Sequence, residues 1–376
     1  MNGSIRRRSK GSWELCIDRG RDAQGRRIRK FVNVRGKRAD ADKRLRELLQ
    51  AVDRGLPINL EKATVGEWME SWLTQKAPPN ARQKTFERYR SIVRNHVSPK
   101  LGQVPLIKLT PAAIQELEAN LSASGMAPAG VELVHRVISA ACKYAVKMDV
   151  LWRNPAQAVT PPKVEQKEIK PPEIPGVKRI LELAEQDGEP FFPAMHLTAF
   201  TGMRRGEVLG LRWSDVDLEK GALSVVQTLG RSLDQGLIFE GPKSKGGRRA
   251  IDLDSRTIAV LRAHRVRQLE HRLKAGGAFE DQGLVFCDAL GNPLNPMALT
   301  RAFQRHAKRV GLTKVRLHDL RHFHASVMFQ QGESPVLVSK RLGHSSVSIT
   351  MDVYSHLLSG WQREAAEKFA QAMEKG

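Results

Sequence analysis

Residues 317–354 read LHDLRHFHASVMFQQGESPVLVSKRLGHSSVSITMDVY. The stretch divides into three expected helices, at about 318–331, 335–342 and 346–357. Ser334 supplies a cap for the second, and Pro335 its first helical residue. Its polar residues carry the information. His318 and Arg321 lie one turn apart and share a helix face. His344 follows Leu342-Gly343, and Tyr354 stands ten residues further on.

Upstream, two more polar clusters belong with this stretch. Thr201-Gly-Met-Arg204-Arg205-Gly-Glu207 opens an expected helix over Met203–Leu211. Lys243-Ser-Lys245-Gly-Gly falls between two short expected strands, Leu237–Glu240 and Arg249–Leu253, so a hairpin turn is expected there. A further strand is expected at Ala222–Leu229. Helices are expected before Phe200, at about 255–273 and at 296–310, the last opened by Asn295-Pro296. Residues 176–376 thus read as one α+β domain dominated by helices, ending in an amphipathic helix at Trp361–Met373.

Residues 161–175 are rich in proline and lysine, and read as an extended linker. Residues 61–160 read as all helix. Thr64-x-x-Glu67 forms a capping box. Further helices are expected at Lys84–His96, from Thr110-Pro111 through Leu121, and at Ala129–Met148. Tyr89 and Tyr144 in this region read as packing residues. In residues 1–57, Trp13, Leu15 and Ile17 alternate with polar residues as in a half-buried strand, and Arg29–Val34 suggests a second. Leu45, Leu48, Leu49 and Val52 follow at helical spacing. A small sheet backed by one helix is expected there. The fold class is therefore multidomain and mainly α: a β-sheet-plus-helix module, a helical domain and an α+β domain.

The 376 residues carry 62 Lys+Arg against 40 Asp+Glu, a net charge of +22. About ten of those charges fall before residue 57, where 17 basic residues face 7 acidic ones. A surface so basic selects polyanions, with nucleic acid the default partner. Arg6, Arg7, Arg8, Arg27, Arg29, Lys84, Arg88 and Arg205 are the candidate DNA contacts. Cys16, Cys142 and Cys287 are widely spaced and odd in number, which excludes a disulfide framework or a zinc-binding pattern; they read as buried thiols. No apolar run reaches 18 residues, so no membrane partner is expected, and the cytosol or nucleoid of a prokaryote is the expected compartment. GxxxxGK[ST] and GxGxxG loops are missing, and no cofactor or metal is expected.

Each polar cluster alone has a plain structural reading. Arg204 and Glu207 could form a helix-surface pair of about 0.2–0.5 kcal/mol, and a tyrosine is commonly half-buried structure. Together and in order they are specific. TG-x-R-x-G-E, a turn lysine, H-x-L-R-H, L-G-H and then a tyrosine resemble the signature of the tyrosine recombinases, the phage-integrase family. The resemblance extends over nearly the whole chain. Residues 61–160 are similar to that family's core-site-binding domain. Residues 1–57 resemble the arm-site module of many integrases of phages and mobile elements.

The resemblance implies a site-specific recombinase that cleaves and rejoins DNA through a 3′-phosphotyrosyl intermediate. Charge builds on the non-bridging oxygens of a five-coordinate phosphorus, and fixed cations can hold it there. Arginine donates two parallel hydrogen bonds and keeps its charge, which suits Arg204 and Arg321. His318 would serve as a donor or as general base toward Tyr354, and His344 as a further donor. Lys245 would be the general acid for the leaving 5′-oxygen, with Lys243 as its competitor. Glu207 would orient Arg204. His322 and His324 read as structural polar residues, and Arg205 as exposed or touching DNA. Because the covalent link conserves the bond energy, rejoining requires no ATP. A homotetramer on DNA, assembled through the C-terminal helix, and an accessory DNA-bending protein complete the implied partners. A topoisomerase IB-like relaxing enzyme or a catalytically inactive DNA-binding protein are the two other readings.

Overall fold

The computed structural model describes residues 3–9, 11–21, 27–53, 63–76, 83–165, 171–232, 234–242, 245–354, and six of the residues 361–373 with Glu374. The chain forms two compact units that meet in sequence between Gln166 and Lys167, inside the Pro/Lys-rich stretch.

The N-terminal unit begins with an antiparallel sheet of β1 (Gly3–Ser9), β2 (Ser12–Arg21) and β3 (Arg27–Arg35), with β2 in the centre. Helix α1 (Arg38–Asp53) covers it. Leu15 and Ala41 are fully buried, and Ile5, Trp13, Val34 and Leu45 pack around them. β1 was not legible in the sequence because Arg6, Arg7 and Arg8 are exposed and only Ile5 turns inward.

The helical part contains α2 (Val65–Lys76), α3 (Gln83–Ile92), α4 (Ser98–Leu101), α5 (Pro111–Ala123) and α6 (Pro128–Lys147). The reciprocal Thr64–Glu67 cap is present, at 2.9 and 3.2 Å. Thr110 Oγ1 accepts from the Ala113 amide. α3 is shorter than expected: a π-helical turn at Val93–Val97 joins it to α4. Trp68, Met69 and Trp72 of α2 lie in a core with Val134, Ile138 and Ala141 of α6. Tyr89 stacks on Trp72 and Tyr144 on Trp68, at centroid distances of 5.8 and 6.0 Å, in keeping with their reading as packing residues.

The C-terminal unit is built around α8 (Phe192–Thr201), which is buried on nearly all sides. Around it lie α7 (Ile174–Gln186), α9 (Arg205–Leu209), β4 (Val216–Asp217), β5 (Ala222–Val225), β6 (Thr228–Ser232), β7 (Gly236–Glu240) and β8 (Arg249–Asp252). Then follow α10 (Ser255–Ala275), α11 (Pro296–Arg309), α12 (Asp319–Gln330), α13 (Pro335–Leu342) and α14 (Val347–Tyr354). The expected strand Ala222–Leu229 divides: β5 pairs with β4 and β8, whereas β6 pairs with β7 in a separate ribbon.

That division overturns the expected hairpin. β7 and β8 belong to different sheets, so residues 241–248 connect two sheets. The thiol expectation is also corrected in part. Cys142 is buried, and burial pushes its pKa to about 12, but Cys16 and Cys287 are only half-buried. Most of the expected helix at Trp361–Met373 lies outside the described residues. Phe369 and Met373, which are described, are strongly exposed. No helix among the described residues is long and apolar enough to cross a membrane.

Candidate active site

The C-terminal end of α13 is where the polar clusters meet. Gly343 caps it in the left-handed region, with φ +69°. Its own carbonyl and those of the two residues before it receive donors from three arginines. Arg204 Nη2 donates to Gly343 O at 3.3 Å, Arg321 Nη2 to Leu342 O at 2.7 Å, and Arg249 Nε to Arg341 O at 2.6 Å. Helix ends leave carbonyls unpaired and carry partial negative charge, so cations gather there.

Thr201-Gly202 ends α8 and begins this arrangement. Gly202 also has a left-handed φ of +65°. A Cβ there would stand 2.6 Å from a Leu342 methyl, so glycine is needed both for the turn and for the contact. Arg321, buried on α12, donates its Nη1 to Gly202 O at 2.7 Å. Burial, with the neighbouring Arg204 charge, lowers the Arg321 pKa to about 9.

Arg204 precedes α9, and its side chain remains 42% exposed. Glu207, which is 2% exposed, binds Arg204 Nη1 at 2.7 Å and the Arg204 amide at 2.9 Å. The same carboxylate takes Arg249 Nη2 at 2.9 Å. Burial works to raise the Glu207 pKa, but these two arginines together hold it below the ordinary carboxylate value. Arg249 was not a candidate in the sequence. It stands two residues beyond the Lys-Gly-Gly turn, and no local pattern reports a contact 42 residues away.

His318 immediately precedes α12, and its ring meets the His322 ring edge-on at 5.2 Å. Partial burial and the Arg321 charge lower the His318 pKa. His322, expected to be structural, touches the tyrosine instead: its Nδ1 lies 2.6 Å from Tyr354 Oη. Burial first, and then His318, depress the His322 pKa to about 4, so the ring is neutral and Nδ1 can accept the phenol hydrogen. Tyr354 is only 2% exposed, packed among Ala325, Phe329, Val338 and Leu342. Its pKa is raised by that burial, with Arg321 pulling slightly the other way. His344 Nδ1 lies 2.7 Å from Thr350 Oγ1, and burial lowers its pKa to about 4. His324 keeps a structural position, between Ala199 O and Arg341 Nε.

The backbone of Lys245 lies in the short turn Lys245–Gly247. A Cβ on Gly246 would stand 3.2 Å from His344 O, which brings this turn against the segment between α13 and α14. The Lys245 side chain and all of Lys243 lie outside the described residues.

Among the DNA candidates, Arg6, Arg7, Arg8, Lys84 and Arg88 are exposed. Arg8 pairs with Glu14 at 3.0 Å, and Arg7 lies over Trp13. The side chains of Arg27 and Arg29 on β3 are outside the described residues. Arg205, expected to be exposed or touching DNA, is half-buried and donates to Thr300 Oγ1 of α11 at 2.7 Å. Among the described residues, no group of three or more His, Cys, Asp or Glu side chains is placed to hold a metal ion.

Residues 176–360 match the Phage integrase family, and residues 64–121 match its N-terminal SAM-like domain. A tyrosine recombinase XerC-like protein of Caldanaerobacter subterraneus subsp. tengcongensis is 30% identical, over 94% of this chain and 95% of its own length. The Tn1549 transposon integrase in complex with a circular intermediate DNA has a similar structure. Its TM-score is 0.70 at 18% identity, covering 82% of this chain and 99% of that one. A lambda integrase tetramer bound to a Holliday junction has a TM-score of 0.56 at 20% identity, over 91% and 95%. These two likenesses show a shared fold. The chain belongs to the phage integrase family of tyrosine recombinases. That family is one of site-specific recombinases, which sets aside the topoisomerase-like and inactive readings.

Proposed function

We propose that the chain integrates a mobile element into DNA by cutting and rejoining strands with Tyr354. Tyr354 Oη attacks the phosphorus, the bond to the 5′-oxygen breaks, and a 3′-phosphotyrosyl link and a free 5′-hydroxyl result. The phenol proton leaves toward the His322–His318 pair, and Lys245 gives a proton to the departing oxygen. Arg204, Arg321 and His344 bind the non-bridging oxygens, and Glu207 aims Arg204. Rejoining runs the same steps backward on another strand's 5′-hydroxyl.

What carries this reading is the convergence of Arg204, Arg321 and the His344 segment on one helix end, with Tyr354 on the following helix. Residues 61–160 would grip the core site, and residues 1–57 a separate arm site through Arg6, Arg7 and Arg8, with Arg27 and Arg29 as further candidates. Lys84 and Arg88, exposed one turn apart on α3, would follow a phosphate backbone. Four copies would assemble on two duplexes. The residues at 361–373 would link neighbours, as the exposure of Phe369 and Met373 favours, and an accessory protein could bend the arm DNA. Incubation with a nicked suicide duplex tests the chemistry: wild type should accumulate a covalent DNA adduct and Tyr354→Phe none. An adduct formed by Tyr354→Phe would refute the assignment.

A further inference from the structure

We infer that Arg249 is a positioning residue for the general acid: it fixes the Lys245 turn against the phosphate-binding arginines. The inference rests on the proposed role of Lys245. A lysine at the tip of a hairpin is held in register by the ladder between its two strands. Among the described residues no ladder joins β7 to β8: β7 pairs with β6 and β8 with β5, so the segment between them is anchored by strand pairing only at its two ends. Something else must set where the turn sits.

Arg249, the first residue of β8, has the geometry to do so. Its side chain is 6% exposed, and each of its guanidinium nitrogens has its own partner. Nη1 donates to Gly247 O within the turn at 3.2 Å. Nε donates to Arg341 O at the end of α13 at 2.6 Å. Nη2 donates to Glu207, which holds Arg204. One planar group thus joins the acid's turn, the helix end that receives Arg321, and the carboxylate that aims Arg204. The turn's backbone also comes close: a Cβ on Gly343 would lie 3.0 Å from Gly246 O, and 2.8 Å from the Arg249 side chain at Nη1. A lysine at 249 has a single ammonium and cannot bridge three acceptors lying in different directions.

A sulfur-substituted substrate separates this role from a general structural one. A thiol has a pKa of about 8.5, far below an alcohol, so a 5′-thiolate departs without a proton. Single-turnover cleavage would be measured for full-length Arg249→Lys and Arg249→Gln on nicked DNA and on the same DNA with a 5′-bridging sulfur. General acid catalysis contributes about 10²–10⁴-fold. Both variants should be slowed about 10²-fold on ordinary DNA and should recover to within about threefold of wild type on the sulfur substrate, as Lys245→Ala should. Arg204→Lys should stay slow on both. If Lys245→Ala recovers and neither Arg249 variant does, the inference fails while the proposed chemistry stands. Arg249 variants as fast as wild type on ordinary DNA also overturn it. A Lys245→Ala that stays equally slow on both substrates removes the acid assignment and this inference with it.

Discussion

Between Tyr354 and His322 the decisive contact is a single hydrogen bond of 2.6 Å inside a nearly closed pocket. A buried hydroxyl that loses its acceptor costs about 1–3 kcal/mol, whereas removing both partners costs much less. A double-mutant cycle of Tyr354→Phe and His322→Phe, followed by urea unfolding, should therefore show a favourable coupling of about 1 kcal/mol. Additive effects would mean the bond contributes nothing. The sequence pointed to Tyr354 through the order of its neighbours, yet read His322 as structural. Spacing along α12 places His318 and Arg321 on one face, but cannot say which ring a tyrosine 32 residues later will meet. Arg249 escaped for the same reason: its meaning lies in three carbonyl and carboxylate partners that only the fold assembles.

Secondary-structure elements were legible where local rules set them. The Thr64–Glu67 cap, Thr110-Pro111 and Ser334-Pro335 all start helices as their residue types dictate. Strand pairing was not legible, because alternation identifies a strand and not its neighbour. Residues 222–229 read as one strand and are two, in different sheets. The turn that ends α13 gives the test at this scale. Gly343→Ala places a Cβ in a left-handed backbone and against Arg249. It should cost about 1–3 kcal/mol in urea unfolding, and it should slow formation of the phosphotyrosyl adduct. A variant with wild-type stability and rate would show that the close approach at 343 is dispensable.

For the molecule as a whole, acid is the informative variable. His196, His322, His324 and His344 all lie in the C-terminal unit, and burial depresses each pKa to about 4 from an ordinary 6.5. Between those values the unfolded chain binds protons that the folded unit refuses. Stability conferred by the neutral rings is therefore present above pH 6.5 and is lost as pH falls toward 4. Calorimetry from pH 7.5 to 4.5 should show the melting temperature of the C-terminal unit falling with pH, most steeply below 6.5. A constant melting temperature over that range would contradict the buried neutral rings.

The pocket around Tyr354 also bears on safety. A protein this basic will travel along any duplex it meets, over vast lengths that are not its target. A phenol 2% exposed cannot touch a phosphate during that search. On the proposed chemistry the end of α14 must leave this pocket before Tyr354 can react, and a copy still in search would then leave the duplex unbroken.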